Sequence, residues 1–352
     1  MASRTSGAIG WLAIGLTQPI VWAALGFAFV VELPFTLYFR CRRQHKEIDG
    51  KHCVITGGSE GVGLELAMLC ARRGARVSLV ARTKSKLEAA RAGIISELPN
   101  ASVTIAIADV GMVDEVKAAV AQCEAASGPV DVCIAAAGAA IPKYFDELTA
   151  DDFSKMLSVN YMGVVHCAQA VLPGMVQRGC GQFAAVSSMV AAAPFVGYAA
   201  YGPAKAACRC VVDTLRNEYA DVDGISFHIA FPPDTDTPGL SRENETKPWE
   251  TSHVWPEMFN ETFAPQDVAR LALDDMREGR YLLRSPDLFG NWIVSRSWGH
   301  HPRASPLFEA AIAPLFVGVQ GVMCWLADRA VRRGARHSKA PPSIPYPAGA
   351  GV

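Results

Sequence analysis

Residues 52–63 read His52-Cys-Val-Ile-Thr-Gly-Gly-Ser-Glu-Gly-Val-Gly63, an apolar run that passes directly into glycines. A helical pattern follows from Leu64 to Arg73. Strand, glycine turn and helix in that order make a βα unit whose turn can bring backbone against an anion. Glycines allow the tight bend and the close approach, and the helix N-terminus turns its amides toward phosphate. The spacing is Thr56-Gly57-x-x-x-Gly61-x-Gly63, with Ser59 and Glu60 inside the loop. Glu60 is an awkward anion beside a phosphate site, so it is expected to point outward or to accept from backbone amides.

Outward from this unit, strands and helices alternate from Lys51 to Leu283. Strands are expected near 52–56, 76–80, 103–107, 130–135, 182–186, 225–230 and 280–283. Helices are expected near 61–74, 84–97, 112–126, 150–178, 200–220 and 265–277. Short apolar strands joined by helical crossovers imply a parallel, doubly wound sheet. Right-handed crossovers then give the order 3-2-1-4-5-6-7, an α/β fold of Rossmann type. The second strand ends in Ala81-Arg82. An acidic residue there would bind the adenosine ribose hydroxyls and select NAD. Arg82 can instead fork a 2′-phosphate, with Lys86 one turn further on, so NADPH is the expected cofactor. The plain alternative for both residues is a solvated helix start.

Downstream lie Ser187-Ser188 and Tyr201-Gly-Pro-Ala-Lys205, with Ser188 thirteen positions ahead of Tyr201. Tyr201 and Lys205 fall one helical turn apart on one face. A lysine cation there is expected to lower the tyrosine pKa from its reference of roughly 10 and let the phenol exchange a proton near neutrality. Alone, such a pair is more often a solvated helix face; the glycine loop gives it weight. Pro203 is tolerated in a first turn, which sets the helix start near Tyr201.

Thr56-Gly-x-x-x-Gly-x-Gly63, Asp109-Val110, Asn160, Ser188 and Tyr201-x-x-x-Lys205 together resemble the short-chain dehydrogenase/reductase family over about residues 50–280. The resemblance implies that Tyr201 is the proton donor and that Lys205 holds the nicotinamide ribose. It implies that Asn160 supports a water reaching Lys205, and that Ser188 binds the substrate carbonyl, with Ser187 as a register alternative. Gly57, Ser59, Glu60, Gly61, Gly63 and Gly138 fall to the cofactor, Asp109 to the adenine amine, and the Val110 backbone nearby. Pro232 begins the segment over the nicotinamide, where Thr235 and Thr237 hold the usual contact positions. One departure is Ala135-Ala-Ala-Gly138, where the family carries Asn-x-Ala-Gly. The lost side chain links strands, so lower stability is expected rather than lost chemistry.

Within the family, Phe231-Pro-Pro-Asp-Thr-Asp-Thr-Pro-Gly239 and Glu243-Asn-Glu-Thr-Lys-Pro-Trp-Glu-Thr251 are similar to a subgroup that reduces 3-ketodihydrosphingosine to dihydrosphingosine in sphingolipid synthesis. Ala199-Ala-Tyr201 and Leu79-Val-Ala-Arg82 fit the same subgroup. A long-chain sphingoid ketone is then the expected substrate. Its amine calls for a carboxylate, which Asp234 or Asp236 could supply, Asp234 being the nearer to Pro232; the alternative is that both cap the turn or the following helix. Another membrane-anchored member acting on a 3-ketoacyl-CoA, steroid or retinoid is the second reading. A non-catalytic membrane scaffold is a third, against which the intact Asn160, Ser188, Tyr201 and Lys205 argue.

The 352 residues exceed one such unit of roughly 250. The expected division is a membrane anchor with its basic flank at 1–46, a catalytic domain at 47–284 with a lid at 233–264, a membrane-associated region at 285–339, and a disordered Pro/Gly/Ala-rich tail at 340–352. Ala8 to Val31 holds 24 residues without charge, enough to span a bilayer. Arg40, Arg42, Arg43 and Lys46 follow and direct the catalytic domain to the cytosol. Ala310 to Ala327, broken by Pro314, Gly318 and Gly321, could span, re-enter or lie on the membrane, or pack as a buried helix. The endoplasmic reticulum membrane is the location the subgroup implies, with membrane lipid as a partner and a possible homodimer. Hydrophobic residues make up 50% and charged residues 19%, under the usual ~25%, so apolar surface is in excess. A net charge of −1 gives no argument for nucleic acid. Ten cysteines show no paired framework, and the histidines no metal-ligand spacing.

Overall fold

The structure, a computed structural model, describes residues 46–253 and 261–296, with 326, 328 and 329. The expected anchor at 8–31, the apolar run at 310–327 apart from Leu326, and the tail at 340–352 lie outside the described residues, as do lid residues 254–260. Among the described residues no helix is long and apolar enough to cross a membrane.

The first βα unit sets the pattern. Strand β1 (His52–Thr56) is buried along its whole length. Cys53 and Ile55 join one hydrophobic cluster and Val54 the other, as the two-residue period of a strand requires. Helix α1 (Gly61–Arg72) follows the glycine turn. The pattern repeats through β2 (Arg76–Ala81), α2 (Lys84–Glu97), β3 (Val103–Ile107), α3 (Val113–Ser127) and β4 (Val132–Ala135). After it come α4 (Ala150–Leu157), α5 (Gly163–Arg178), β5 (Gly181–Val186), α6 (Tyr201–Glu218) and β6 (Ile225–Ala230). The remaining elements are α7 (Pro238–Asn244), α8 (Pro265–Arg277), β7 (Leu282–Leu283) and α9 (Leu288–Arg296).

The seven strands are parallel in the order β3-β2-β1-β4-β5-β6-β7, as expected. Leu66 of α1, Leu87 of α2 and Leu273 of α8 cover one face of the sheet. Val116 of α3, Val171 of α5 and Cys208 of α6 cover the other. Both faces are therefore dry, which is why the central strands read as unbroken apolar runs. The order changes direction between β1 and β4, and the chain there opens a crevice at the strands' carboxyl ends.

Several boundaries differ from the sequence expectation. The helix expected over 150–178 is interrupted by a π-helical turn at Ser158–Met162, which carries Asn160. Neither proline nor glycine marks that turn; π turns are single-turn insertions that packing selects. The lid expected at 233–264 contains α7 and a 3-10 turn at Trp249–His253. Thr237 caps α7 by accepting from Leu240 N at 3.2 Å, and Pro238 opens the helix. A Thr-Pro step is a helix-start signal that the irregular composition around it concealed. The body also extends past 284, because Ile293 and Val294 of α9 are buried, the latter in the main core. At the front, Lys46 N donates to Arg277 O at 2.7 Å and its Nζ to Ser226 Oγ at 3.0 Å, so Lys46 belongs to the body rather than to a flank.

Where the family asparagine is missing, Ala135 ends β4 between Thr56 and Ala185. A link across that position is made instead by the Thr56 hydroxyl, which accepts from Ala137 N at 3.3 Å. Cys208 is buried and Cys210 exposed, so the Cys-x-Cys step after Lys205 points two ways and is no redox pair.

Candidate active site

A cleft of about 490 Å³ runs along the carboxyl ends of the strands. Every site residue expected from the sequence lines it except Asn160 and Asp236. Its nucleotide end is backbone. A Cβ placed on Gly63 would lie 2.3 Å from Gly57 O, and one on Gly57 2.8 Å from Ala137 Cα. Gly57 and Gly61 also have φ of +67° and +59°, which side chains rarely adopt. These glycines let the turn close tightly on its neighbours, where a side chain would collide. Helix α1 has no side-chain cap, so its first amides stay open toward the cleft. The donor set fits a dinucleotide pyrophosphate.

Glu60 pairs with two cations rather than with backbone amides. Its carboxylate accepts from Lys86 Nζ at 2.7 Å and from Arg242 of α7. Burial works against its charge, but the two cations outweigh burial and hold its carboxyl below the ordinary range. Lys86 is thus engaged with Glu60. Arg82 is two-thirds exposed and its Nη1 lies 3.8 Å from Asp109 Oδ2. Asp109 Oδ1 accepts from Gly111 N at 2.9 Å, which fixes the carboxylate at the rim. Arg82 therefore stands at the mouth of the cleft.

At the far end α6 begins at Tyr201, with Pro203 in its first turn as expected. The two serines part here. Ser187 is buried and its hydroxyl donates to Lys205 O at 2.8 Å, tying β5 to α6. Ser188 caps a short 3-10 turn, accepting from Val190 N at 3.3 Å, and its side chain hydrogen-bonds Tyr201. Ser188 therefore faces the cleft beside the phenol, and Ser187 turns its hydroxyl into the frame.

The expected lowering of the Tyr201 pKa is not what the site shows. Burial pushes the phenol up, and the Ser188 hydrogen bond only partly opposes it. Lys205 is buried too, and burial holds its ammonium below the ordinary lysine value. Its Nζ donates to Val186 O at 2.9 Å and lies 5.8 Å from the Tyr201 ring centroid. The lysine is thus near the ring but spends its hydrogen bond on the backbone. Sequence spacing gave the pair its face; the depth of the site reversed the sign of the shift.

Asn160 sits behind the cleft on its π turn. Its amide donates to Ala139 O at 2.8 Å and Met156 O at 3.0 Å, and its oxygen accepts from Ala139 N at 3.2 Å. It clamps the loop after β4. A Cβ on Gly138 would lie 3.0 Å from Asn160 Oδ1 and 3.1 Å from Lys205 Nζ, so the glycine lets those two side chains approach.

A second cavity of about 230 Å³ shares Ser188, Tyr198, Pro232 and Asp234 with the first and continues between the lid and α9. Met189, Phe195, Leu240, Phe289 and Ile293 line it. Asp234 faces both cavities; Asp236 faces neither. Neither aspartate caps α7, since Thr237 does. Asp234 Oδ2 pairs instead with Lys247 Nζ at 3.2 Å. Thr235 Oγ1 donates to Pro233 O at 2.8 Å, fixing the turn above the cleft.

Sequence reasoning assigned no role to Tyr198, Arg242, Glu243 or Lys247. Tyr198 lies three residues before Tyr201, and Glu243 and Lys247 stand four apart, which are the available signals.

Residues 51–248 match the family model described as short chain dehydrogenase. The 3-dehydrosphinganine reductase of Danio rerio is 34% identical over 263 residues, covering 72% of this chain and 77% of that protein. The 3-ketodihydrosphingosine reductase of Mus musculus is 34% identical over 240 residues, covering 66% of this chain and 70% of that one. Among solved structures, the alcohol dehydrogenase of the archaeon Thermococcus sibiricus, complexed with 5-hydroxy-NADP, superposes with a TM-score of 0.57 at 27% identity, covering 67% of this chain and 97% of that one.

Proposed function

The chain belongs to the short chain dehydrogenase family, and from that premise we propose that it uses NADPH to reduce 3-ketodihydrosphingosine to dihydrosphingosine in sphingolipid synthesis. The supporting observation is that Ser188, Tyr201 and Lys205 meet where the glycine-cradled cleft joins a partly apolar cavity, in a chain 34% identical to reductases of that name.

The chemistry that NADPH supplies when bound is hydride delivery to the ketone carbon. Gly57, Gly61 and Gly63 would hold its pyrophosphate, Arg82 and Lys86 its 2′-phosphate, and Asp109 its adenine. The protein's own part is proton chemistry and positioning. Burial keeps the proton on Tyr201, which is the state a reductase needs before the reaction. Ser188 and Tyr201 donate to the ketone oxygen, and Tyr201 releases its proton as the alkoxide forms. The Lys205 ammonium, 5.8 Å from the ring centroid, then favours the phenolate. Asn160 and Ser187 fix the loop and helix that carry these groups. The apolar wall from Met189 to Ile293 suits the start of a long alkyl chain, which excludes water from the carbonyl.

The reading places the chain on the endoplasmic reticulum membrane with its catalytic domain in the cytosol. The uncharged run at 8–31 and the arginines after it support that placement. A substrate with one long tail can then keep the tail in lipid while its head enters the site.

The deciding experiment is NADPH oxidation by the full-length, detergent-solubilised protein. Offered 3-ketodihydrosphingosine, a 3-ketoacyl-CoA and a ketosteroid, it should show the highest kcat/KM on the first. A higher value on either of the others would replace the substrate and keep the reaction type.

A further inference from the structure

The amino ketone carries its ammonium on the carbon next to the one that is reduced. Binding the ketone at Ser188 and Tyr201 therefore brings a cation into the same corner of the cleft. That cation needs a carboxylate, and the described walls of the two cavities offer four near it. Asp287 is spent on α9, accepting from Gly290 N at 2.8 Å. Glu261 is exposed at the cavity's edge. Asp234 is half exposed and paired with Lys247 at 3.2 Å. Glu243 is different: its side chain is only 16% exposed, it lines the catalytic cleft, and the Tyr198 hydroxyl donates to it.

Two facts set Glu243 beside the reacting groups. The Tyr198 ring stacks obliquely on Tyr201 with centroids 5.7 Å apart, so the hydroxyl that Glu243 grips belongs to a ring packed on the proton donor. The negative charges of Glu243 and Asp234 both act on Tyr201. Charge balance points the same way. Lys247 is buried and shared by two carboxylates, Asp234 at 3.2 Å and Glu243 at 3.6 Å. Two anions and one cation leave one negative charge over. Glu243 carries the shortfall, since burial pushes its carboxyl up despite Tyr198 and Lys247. A second ammonium would complete the set.

Resting on the proposed function, we infer that Glu243, oriented by Tyr198 and Lys247, is the residue that binds the substrate's ammonium and so selects 2-amino-3-ketones over plain ketones. This assigns to Glu243 the role that the sequence offered to Asp234 or Asp236. Asp234 keeps Lys247 in place, and Asp236 stands outside both cavities.

The test compares 3-ketodihydrosphingosine with a chain-matched ketone lacking the amine. Loss of a charge-assisted contact is worth about 10–100-fold. Glu243→Gln should raise KM for the amino ketone by at least ten times the factor it imposes on the plain ketone. A wild-type protein that reduces the amino ketone, with a variant that changes both substrates by one factor, overturns the inference and leaves the function standing. A wild-type protein inactive on the amino ketone removes both. Equilibrium binding by the wild-type protein gives an answer independent of any variant's folding. Dihydrosphingosine should bind at least tenfold tighter than its N-acetyl derivative, and equal binding also overturns the inference.

Discussion

At the nucleotide end of the cleft the wall is backbone. Gly57, Gly61 and Gly63 stand so close to their neighbours that a single Cβ on Gly63 would meet Gly57 O at 2.3 Å. At the substrate end the wall is side chains: Tyr198, Tyr201, Glu243, Lys247 and Asp234, drawn from α6, α7 and the turns around them. The two kinds of wall follow different rules. Backbone approach permits one residue type, so it leaves a fixed motif in the chain. A charge cluster needs only that opposite charges meet, and the residues that supply them can sit at many sequence positions. The nucleotide end is accordingly written in a short glycine spacing; at the substrate end the Tyr201-x-x-x-Lys205 step is readable, and the pairing of Tyr198 with Glu243 is not.

The largest effect expected at either end comes from Tyr201→Phe. It keeps the ring packing and removes the proton, so turnover should fall about 10²–10⁴-fold while NADPH binding, read by fluorescence, persists. Near-normal turnover would assign the proton to another group and dissolve the distinction between the ends.

A pH ramp tests the sheet that both ends share. Burial depresses His228 of β6 to about 4 from an ordinary 6.5. The neutral ring contacts Arg280 O at 2.6 Å and Ser226 Oγ at 2.9 Å. Below about pH 6.5 the unfolded chain takes up a proton that the native state refuses until about pH 4, so stability is whole above that window and falls as pH drops through it. The loss amounts to about 3 kcal/mol. Denaturant titrations of His228→Gln should show a pH slope reduced by that amount; an unchanged slope would locate the acid sensitivity elsewhere.

Arg82→Ala probes the one part of the nucleotide end that is a side chain. It should raise KM for NADPH about 10–100-fold and leave NADH nearly untouched. Equal effects on both cofactors would make Arg82 part of the structural rim with Asp109.

The smallest expected effect is at Glu60, where a lid residue and a nucleotide-end residue share one partly exposed carboxylate. Glu60→Gln frees Lys86 and Arg242 for the anionic cofactor and should lower KM for NADPH. Such exposed pairs are worth about 0.2–1 kcal/mol, so the gain is at most about fivefold. A rise in KM would show instead that the carboxylate holds α7 over the cofactor.

From the sequence by itself came the βα repeat, the strand order, the glycine cradle, the serine-tyrosine-lysine set and the start of α6 at Tyr201. These rest on local rules: a two-residue strand period, a glycine spacing, a proline in a first turn, two side chains one helical turn apart. Each is a constraint between residues near in sequence, so a short window contains it whole. The tertiary structure alone decided the rest. It turned Ser188 to Tyr201 and Ser187 away, placed Asn160 on a π turn, tied Glu60 to Arg242 across 182 positions, and brought Glu243 against Tyr198. It also set the sign of the Tyr201 shift. Burial is a sum over atoms from the whole fold, and in this site it outweighs the one lysine that the spacing made visible.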